Sequence, residues 1–155
     1  MAGFEMVANC DLVVAASTAT FALPEVKRGI VPVAGCLPRL SRVLGLQRTT
    51  YLALTGKSVS ANTLHDWGLV NEVVEPSRLR DHAIQLARTL CENSPDALIV
   101  GRQGIRLSWE TGSVEDAVQF LADEPYSRLM SGANFKEGIK AFGEKRAPRW
   151  IDSKL

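Results

Sequence analysis

The sequence has no long hydrophobic runs. None of its apolar stretches approaches the roughly 20 residues a helix needs to cross a bilayer, and no basic stretch leading into an apolar core reads as a secretory signal. Sulfur and imidazole are scarce: three cysteines (Cys10, Cys36, Cys91) and two histidines (His65, His82). The cysteines are far apart, odd in number and free of CxxC or Cys/His spacing. That argues against a zinc site or a disulfide framework and fits reduced, buried thiols in a reducing compartment. Neither histidine has a nucleophile or metal partner at useful spacing, so both read as structural or exposed. Charge is not biased to one sign. With 18 basic and 17 acidic residues the net charge is +1, and no global field draws nucleic acid or an anionic membrane. Aromatic residues make up 6%, and Trp67, Trp109 and Trp150 read as packing residues. No internal repeat or low-complexity tract occurs.

What is present is ordinary globular material: 155 residues, 46% apolar and 23% charged, enough for one domain with a real core. The first half alternates short β-like and helical patterns. Gly3 to Cys10 predicts a short buried helix. Leu12 to Ala16 predicts a buried strand, and Thr20 to Leu23 a second one stopped by Pro24. Lys27 to Gly35 reads mostly as loop. Helices follow over Leu37–Leu44, Gln47–Leu54 and Ala61–Trp67, the last capped by Ser60, and Leu69 to Val74 reads as a strand. After Ser77 only helical patterns remain: Arg78–Cys91, a helix opened by Pro95, one from Val114 to Leu129 capped by Ser113, and a last one capped by Asn134. The reading is therefore an α/β part over 1–76 and an all-helical part over 77–155. Helices without a sheet of their own need a partner, either the α/β part or another subunit.

Two acids stand out in Met1 to Pro38. Glu5 opens a helical run, where exposed N–H groups and the helix dipole attract a carboxylate. Such a group suits a general base, and first-turn charge complementarity is the commoner explanation of it. Glu25 follows Pro24 in a turn with apolar neighbours. Burial there would suit a proton donor, and pairing with Lys27 or Arg28 is the plainer explanation.

Their surroundings go further. The string Gly3-Phe4-Glu5, Cys10-Asp11, Phe21-Ala22-Leu23-Pro24-Glu25-Val26, Gly29-Ile30-Val31-Pro32, Ala34-Gly35 and Pro38-Arg39-Leu40 resembles the enoyl-CoA hydratase/isomerase (crotonase) family. The resemblance continues through Leu54-Thr55-Gly56-Lys57 and Trp67-Gly68-Leu69-Val70-Asn71-Glu72-Val73-Val74. It ends with Lys136-Glu137-Gly138-Ile139 and Ala141-Phe142-Gly143-Glu144-Lys145-Arg146. It implies part of a β-β-α spiral followed by C-terminal helices that build trimers or hexamers. It also implies a CoA thioester as substrate, with no separate cofactor. Two backbone N–H groups would bind the thioester oxygen, and Ala2 matches the position of one of them. Glu5 matches the acid that activates water for attack at Cβ, and Glu25 the acid that delivers a proton to Cα. Phe142 and Lys145 match positions where the family's last helix reaches toward the CoA nucleotide of a neighbouring subunit. The family's N-terminal half, with the other oxyanion N–H and the adenine-binding loop, is unmatched here. Val33 and Cys36 stand where the family usually has glycines, which implies a reshaped acyl pocket.

The expected activity is water addition to a 2-trans-enoyl-CoA in fatty-acyl or related CoA-thioester metabolism. The alternatives are a Δ3,Δ2-enoyl-CoA isomerase, and a partial, non-catalytic subunit of such an oligomer. The closing tripeptide Ser153-Lys154-Leu155 reads as a peroxisomal import address recognised by a receptor.

Overall fold

A computed structural model describes residues 2–155. The chain divides into two compact units, Met1–Ile84 and Gln85–Leu155.

In the first unit, α1 (Ala2–Val7) is followed by two three-residue strands, β1 (Val14–Ala16) and β2 (Thr20–Ala22). Pro24 has no N–H to continue a ladder, and the chain turns into a 3-10 helix over Pro24–Arg28. Helices α2 (Cys36–Leu44) and α3 (Leu46–Thr55) pack on each other, and α3 also packs on the 3-10 turn. Then come β3 (Ser58–Ser60), α4 (Ala61–Asp66) and β4 (Glu72–Val74). The Ser60 side chain accepts the Thr63 N–H at 3.1 Å, as expected of an N-cap.

Strand β1 pairs parallel with β4, Val14 opposite Glu72. Strand β2 pairs antiparallel with β3, Thr20 opposite Ser60. Strand β3 is absent from the sequence reading. Its Ser-Val-Ser has little apolar signal, and only its pairing with β2 makes it a strand. The core of this unit collects Phe4, Val13, Ala15, Leu23, Cys36, Leu40, Leu52, Leu64 and Val70 from the helices, β1 and the connecting turns, with Phe21, Val59 and Val73 of the other strands packed against it. Burying one such Leu side chain is worth about 1.5–3 kcal/mol.

The unit boundary falls inside α5 (Leu79–Cys91), whose Leu79, His82 and Leu86 are half-buried at helical spacing. The second unit continues with α6 (Pro95–Glu110), α7 (Val114–Leu121), α8 (Ser127–Ser131) and α9 (Ala133–Gly143). Ser94 and Ser113 cap α6 and α7 with their hydroxyls. Gly104 lets α7 approach α6: a Cβ there would sit 2.9 Å from Leu121 Cδ2.

Two expectations fail here. The single helix Val114–Leu129 is broken by a π-helical turn over Ala122–Tyr126, because Pro125 lacks the N–H of a regular turn and its ring collides with the carbonyl four residues back. Asn134 does not cap the last helix. Gly132 holds that position, and Asn134 lies inside α9, buried. Its side chain serves the tail instead, accepting the Ile151 N–H and donating to the Ile151 carbonyl, both at 3.0 Å.

Candidate functional site

Glu5 is set by its neighbour. Phe4 is buried and meets the Phe21 ring edge-on at 5.3 Å, which ties α1 to β2. Glu5 is then left half-buried, and its Oε1 accepts the backbone N–H of Ala34 at 2.8 Å. That N–H is available because Gly35 turns the chain into α2 with φ +82°, a left-handed conformation that suits glycine. The turn is closed further by Arg39 Nη1, which donates to the Gly35 carbonyl at 3.2 Å.

Glu25 is set by Pro24, which starts the 3-10 turn and swings the next side chain inward beside the fully buried Leu23. The carboxyl group is only 4% exposed, and its Oε2 has no hydrogen-bond partner. A buried carboxylate oxygen left unpaired is costly. Such a group is more economically explained by a ligand or water it meets than by the fold it stabilises.

Cys36 feels the charge of both acids. Burial pushes its thiol up to about 11, with Glu5 and then Glu25 adding to the rise. One thiol thus lies in the field of both carboxylates, although Glu5 comes from α1 and Glu25 from the 3-10 turn. The thiol stays neutral at physiological pH. Chemically the arrangement offers a carboxylate fixed by a backbone donor and a second, buried carboxyl group with one oxygen that no protein group satisfies. Among the described residues no cluster of three or more His, Cys, Asp or Glu could hold a metal ion.

The other expected site residues lie elsewhere. Ala2 is the first residue of α1, and its N–H adjoins Met1, which lies outside the described residues. Phe142, 87% exposed, and Lys145 sit at the end of α9. Ser153, Lys154 and Leu155 follow the segment that Asn134 fastens; the Ser153 hydroxyl accepts the Leu155 N–H at 3.2 Å. His82 Nε2 lies 2.5 Å from Glu72 Oε2, joining α5 to β4, and His65 is exposed beside Asp66. Trp67 lies under the Arg48 guanidinium, and Trp150 Nε1 donates to the Glu92 carbonyl at 2.8 Å.

Sequence reasoning missed the Ala34 N–H, for which the glycine at Gly35 was the available signal.

Residues 1–153 match the sequence profile of the family described as enoyl-CoA hydratase/isomerase. The chain is 56% identical over 153 residues to mevalonyl-coenzyme A hydratase sidH of Aspergillus fumigatus, covering 99% of this chain and 57% of that protein. It is 35% identical over 151 residues to a carnitinyl-CoA dehydratase of Salmonella arizonae, covering 96% of this chain and 58% of that protein. Among solved structures, an enoyl-CoA hydratase subunit from Geobacillus kaustophilus superposes with a TM-score of 0.91 at 34% identity, over 98% of this chain and 58% of that one. The chain therefore spans a little over half the length of the curated relatives it matches.

Proposed function

This chain belongs to the enoyl-CoA hydratase/isomerase family, with a partial crotonase-type fold, and on that premise we propose that it carries the acid–base half of a CoA-thioester hydratase. What supports this reading is a Glu5 fixed by the Ala34 N–H and a Glu25 that is buried without a partner at Oε2. In the forward direction Glu5 accepts a proton from water as the water oxygen bonds to Cβ of a 2-trans-enoyl thioester. Electron density moves through Cα to the thioester oxygen. Glu25 then supplies a proton to Cα, and the carbonyl reforms. The Ala2 N–H is a proposed donor to the thioester oxygen during this shift.

The 56% identical relative named for mevalonyl-CoA makes the CoA thioester of mevalonate the first substrate to test, beside crotonyl-CoA. Glu5→Gln and Glu25→Gln should each lower turnover by at least 100-fold, the scale of a lost acid–base group, with little change in melting temperature. Unchanged turnover in either variant removes that acid from the mechanism. Isomerisation of a 3-enoyl-CoA that survives Glu5→Gln supports the isomerase alternative. No turnover by the full chain of any of these thioesters favours the non-catalytic subunit.

Three further assignments belong to the same proposal. Phe142 and Lys145 meet the CoA nucleotide of a neighbouring subunit. The exposed apolar side chains Ile105, Val114, Val118 and Ile139 support association with further copies, a trimer or hexamer, readable as mass by light scattering. Ser153-Lys154-Leu155 directs the protein to peroxisomes through an import receptor. Removing Leu155 should leave a fluorescent fusion, tagged at its N-terminus, in the cytosol, and unchanged peroxisomal location rejects the address.

A further inference from the structure

Among the described residues, Lys145 is the only non-glycine with positive φ, at +54°. A side chain with a Cβ resists this left-handed conformation, and such outliers persist only where their surroundings hold them. The surroundings are explicit. At the end of α9 the Lys145 N–H donates to the Phe142 carbonyl at 3.2 Å, and the Arg146 N–H reaches back to the Ala141 carbonyl at 3.1 Å. The Arg146 side chain then returns to the helix. Its Nη1 and Nη2 donate to the two oxygens of Glu137 at 2.6 and 3.0 Å, and its Nε donates to Glu144 Oε2 at 2.6 Å. Glu137 Oε1 also accepts the Arg149 N–H at 2.7 Å, so one carboxylate grips the chain on the far side of the turn as well.

The two cations are used differently. Arg146 is engaged by two carboxylates, whereas Lys145 has no ion-pair partner among the described residues. Three residues before Lys145 stands Phe142, almost fully exposed. A large apolar ring left in water and an unpaired ammonium, held on one helix end by a strained turn, suit a ligand with a flat base and a phosphate.

We propose that the Arg146–Glu137 clamp is a positioning device that locks the left-handed turn at Lys145, so that the ammonium and the Phe142 ring are offered together to the nucleotide end of a CoA thioester. This rests on the assignment of Phe142 and Lys145 to CoA made above. Arg146 and Glu137 themselves touch no ligand; they act through the backbone of Lys145.

The test compares CoA with pantetheine, which lacks the nucleotide, by calorimetric titration of the full chain. Lys145→Gln removes the proposed phosphate contact. Glu137→Gln removes the grip, and Arg146→Lys keeps the charge while losing the two-pronged fork. All three should weaken CoA about five- to tenfold, the scale of one charge-assisted contact, and leave pantetheine unchanged. A merely structural role would move both ligands together. If Lys145→Gln alone weakens CoA, the clamp inference is overturned and the CoA assignment stands. If Lys145→Gln binds CoA as the parent does, or the parent shows no preference for CoA over pantetheine, the assignment fails and the inference with it. Should Glu137→Gln not fold, Arg146→Lys carries the same comparison.

Discussion

The Asn134 amide donates to Asp96 Oδ2 at 3.0 Å, and this pairing decides which way Asn134 faces. A carboxylate only accepts, so the amide nitrogen must point to Asp96 and to the Ile151 carbonyl, leaving the oxygen for the Ile151 N–H. Both side chains are buried, and Asp96 lies in the first turn of α6, where helix N–H groups favour an acid. One asparagine thus joins α6, α9 and the C-terminal segment.

Asn134→Ala leaves Asp96 Oδ2 on α6 and both backbone groups of Ile151 in the C-terminal segment without this partner. A loss of about 2–4 kcal/mol is expected, from more than one unsatisfied group at about 1–3 kcal/mol each. Urea unfolding measures it. Hydrogen exchange should quicken first at Ile151. A loss below 0.5 kcal/mol, on the order of an ordinary surface substitution, would show that the tail does not depend on this residue.

Cys36 should resist alkylation in the folded protein, while exposed Cys10 and Cys91 react. The raised thiol has a stability consequence too. Its value is about 11 folded against 9.0 unfolded. The folded form therefore holds the proton more tightly, so stability is intact below pH 9.0 and falls as pH rises toward about 11. Cys36→Ala should abolish that part of the alkaline decline, read as melting temperature against pH.

Glu137 gives the opposite sign. Hydrogen bonds from the Arg146 side chain, and then from the Arg149 N–H, lower its carboxyl group from 4.5 to about 2. The clamp's contribution is complete above pH 4.5 and disappears as pH falls through about 2. Glu137→Gln should remove this portion of the acid sensitivity, and an identical acid profile in the variant would refute it.

Gly35→Ala should damage the site more than the fold. The position has φ +82°, and an added Cβ would lie 2.3 Å from Arg39 Nη1. The arginine tip can swing away, but the left-handed backbone costs about 1–2 kcal/mol for alanine. Relief of that strain moves the preceding Ala34 N–H away from Glu5. Turnover is expected to fall more steeply than stability; equal losses in both would mean that the N–H does not position the acid.

Much of this was readable in the chain itself. Pro24 stops β2 and starts the turn that buries Glu25, Ser60 and Ser113 cap the helices expected of them, and Pro95 opens α6, because these effects are local. What escaped depends on partners far away in sequence. Strand β3 exists through β2, and Asn134 was misread because an asparagine near a helix start looks like a cap until Asp96 and Ile151 claim its amide. The sequence does not announce the partner of Arg146, because Glu137 meets Arg146 and the Arg149 N–H only where the chain returns past the end of α9. Pro125 was a local signal overlooked: it sits inside an apolar pattern whose period continues through it.

The pairing of β1 with β4 also bears on the order of events during folding. Asn71 fastens Val13 from both directions, through its side chain at 2.7 Å and its own N–H at 2.8 Å, and the two strands close a loop running from Val14 to Glu72. Glu25 and Ala34 lie inside that loop and Glu5 outside it. Closing so long a segment is slow compared with forming the helices within it. The two acids therefore gain their common surroundings at a late step of folding, and substitutions at Asn71 should delay the recovery of ligand binding during refolding more than the recovery of helix signal.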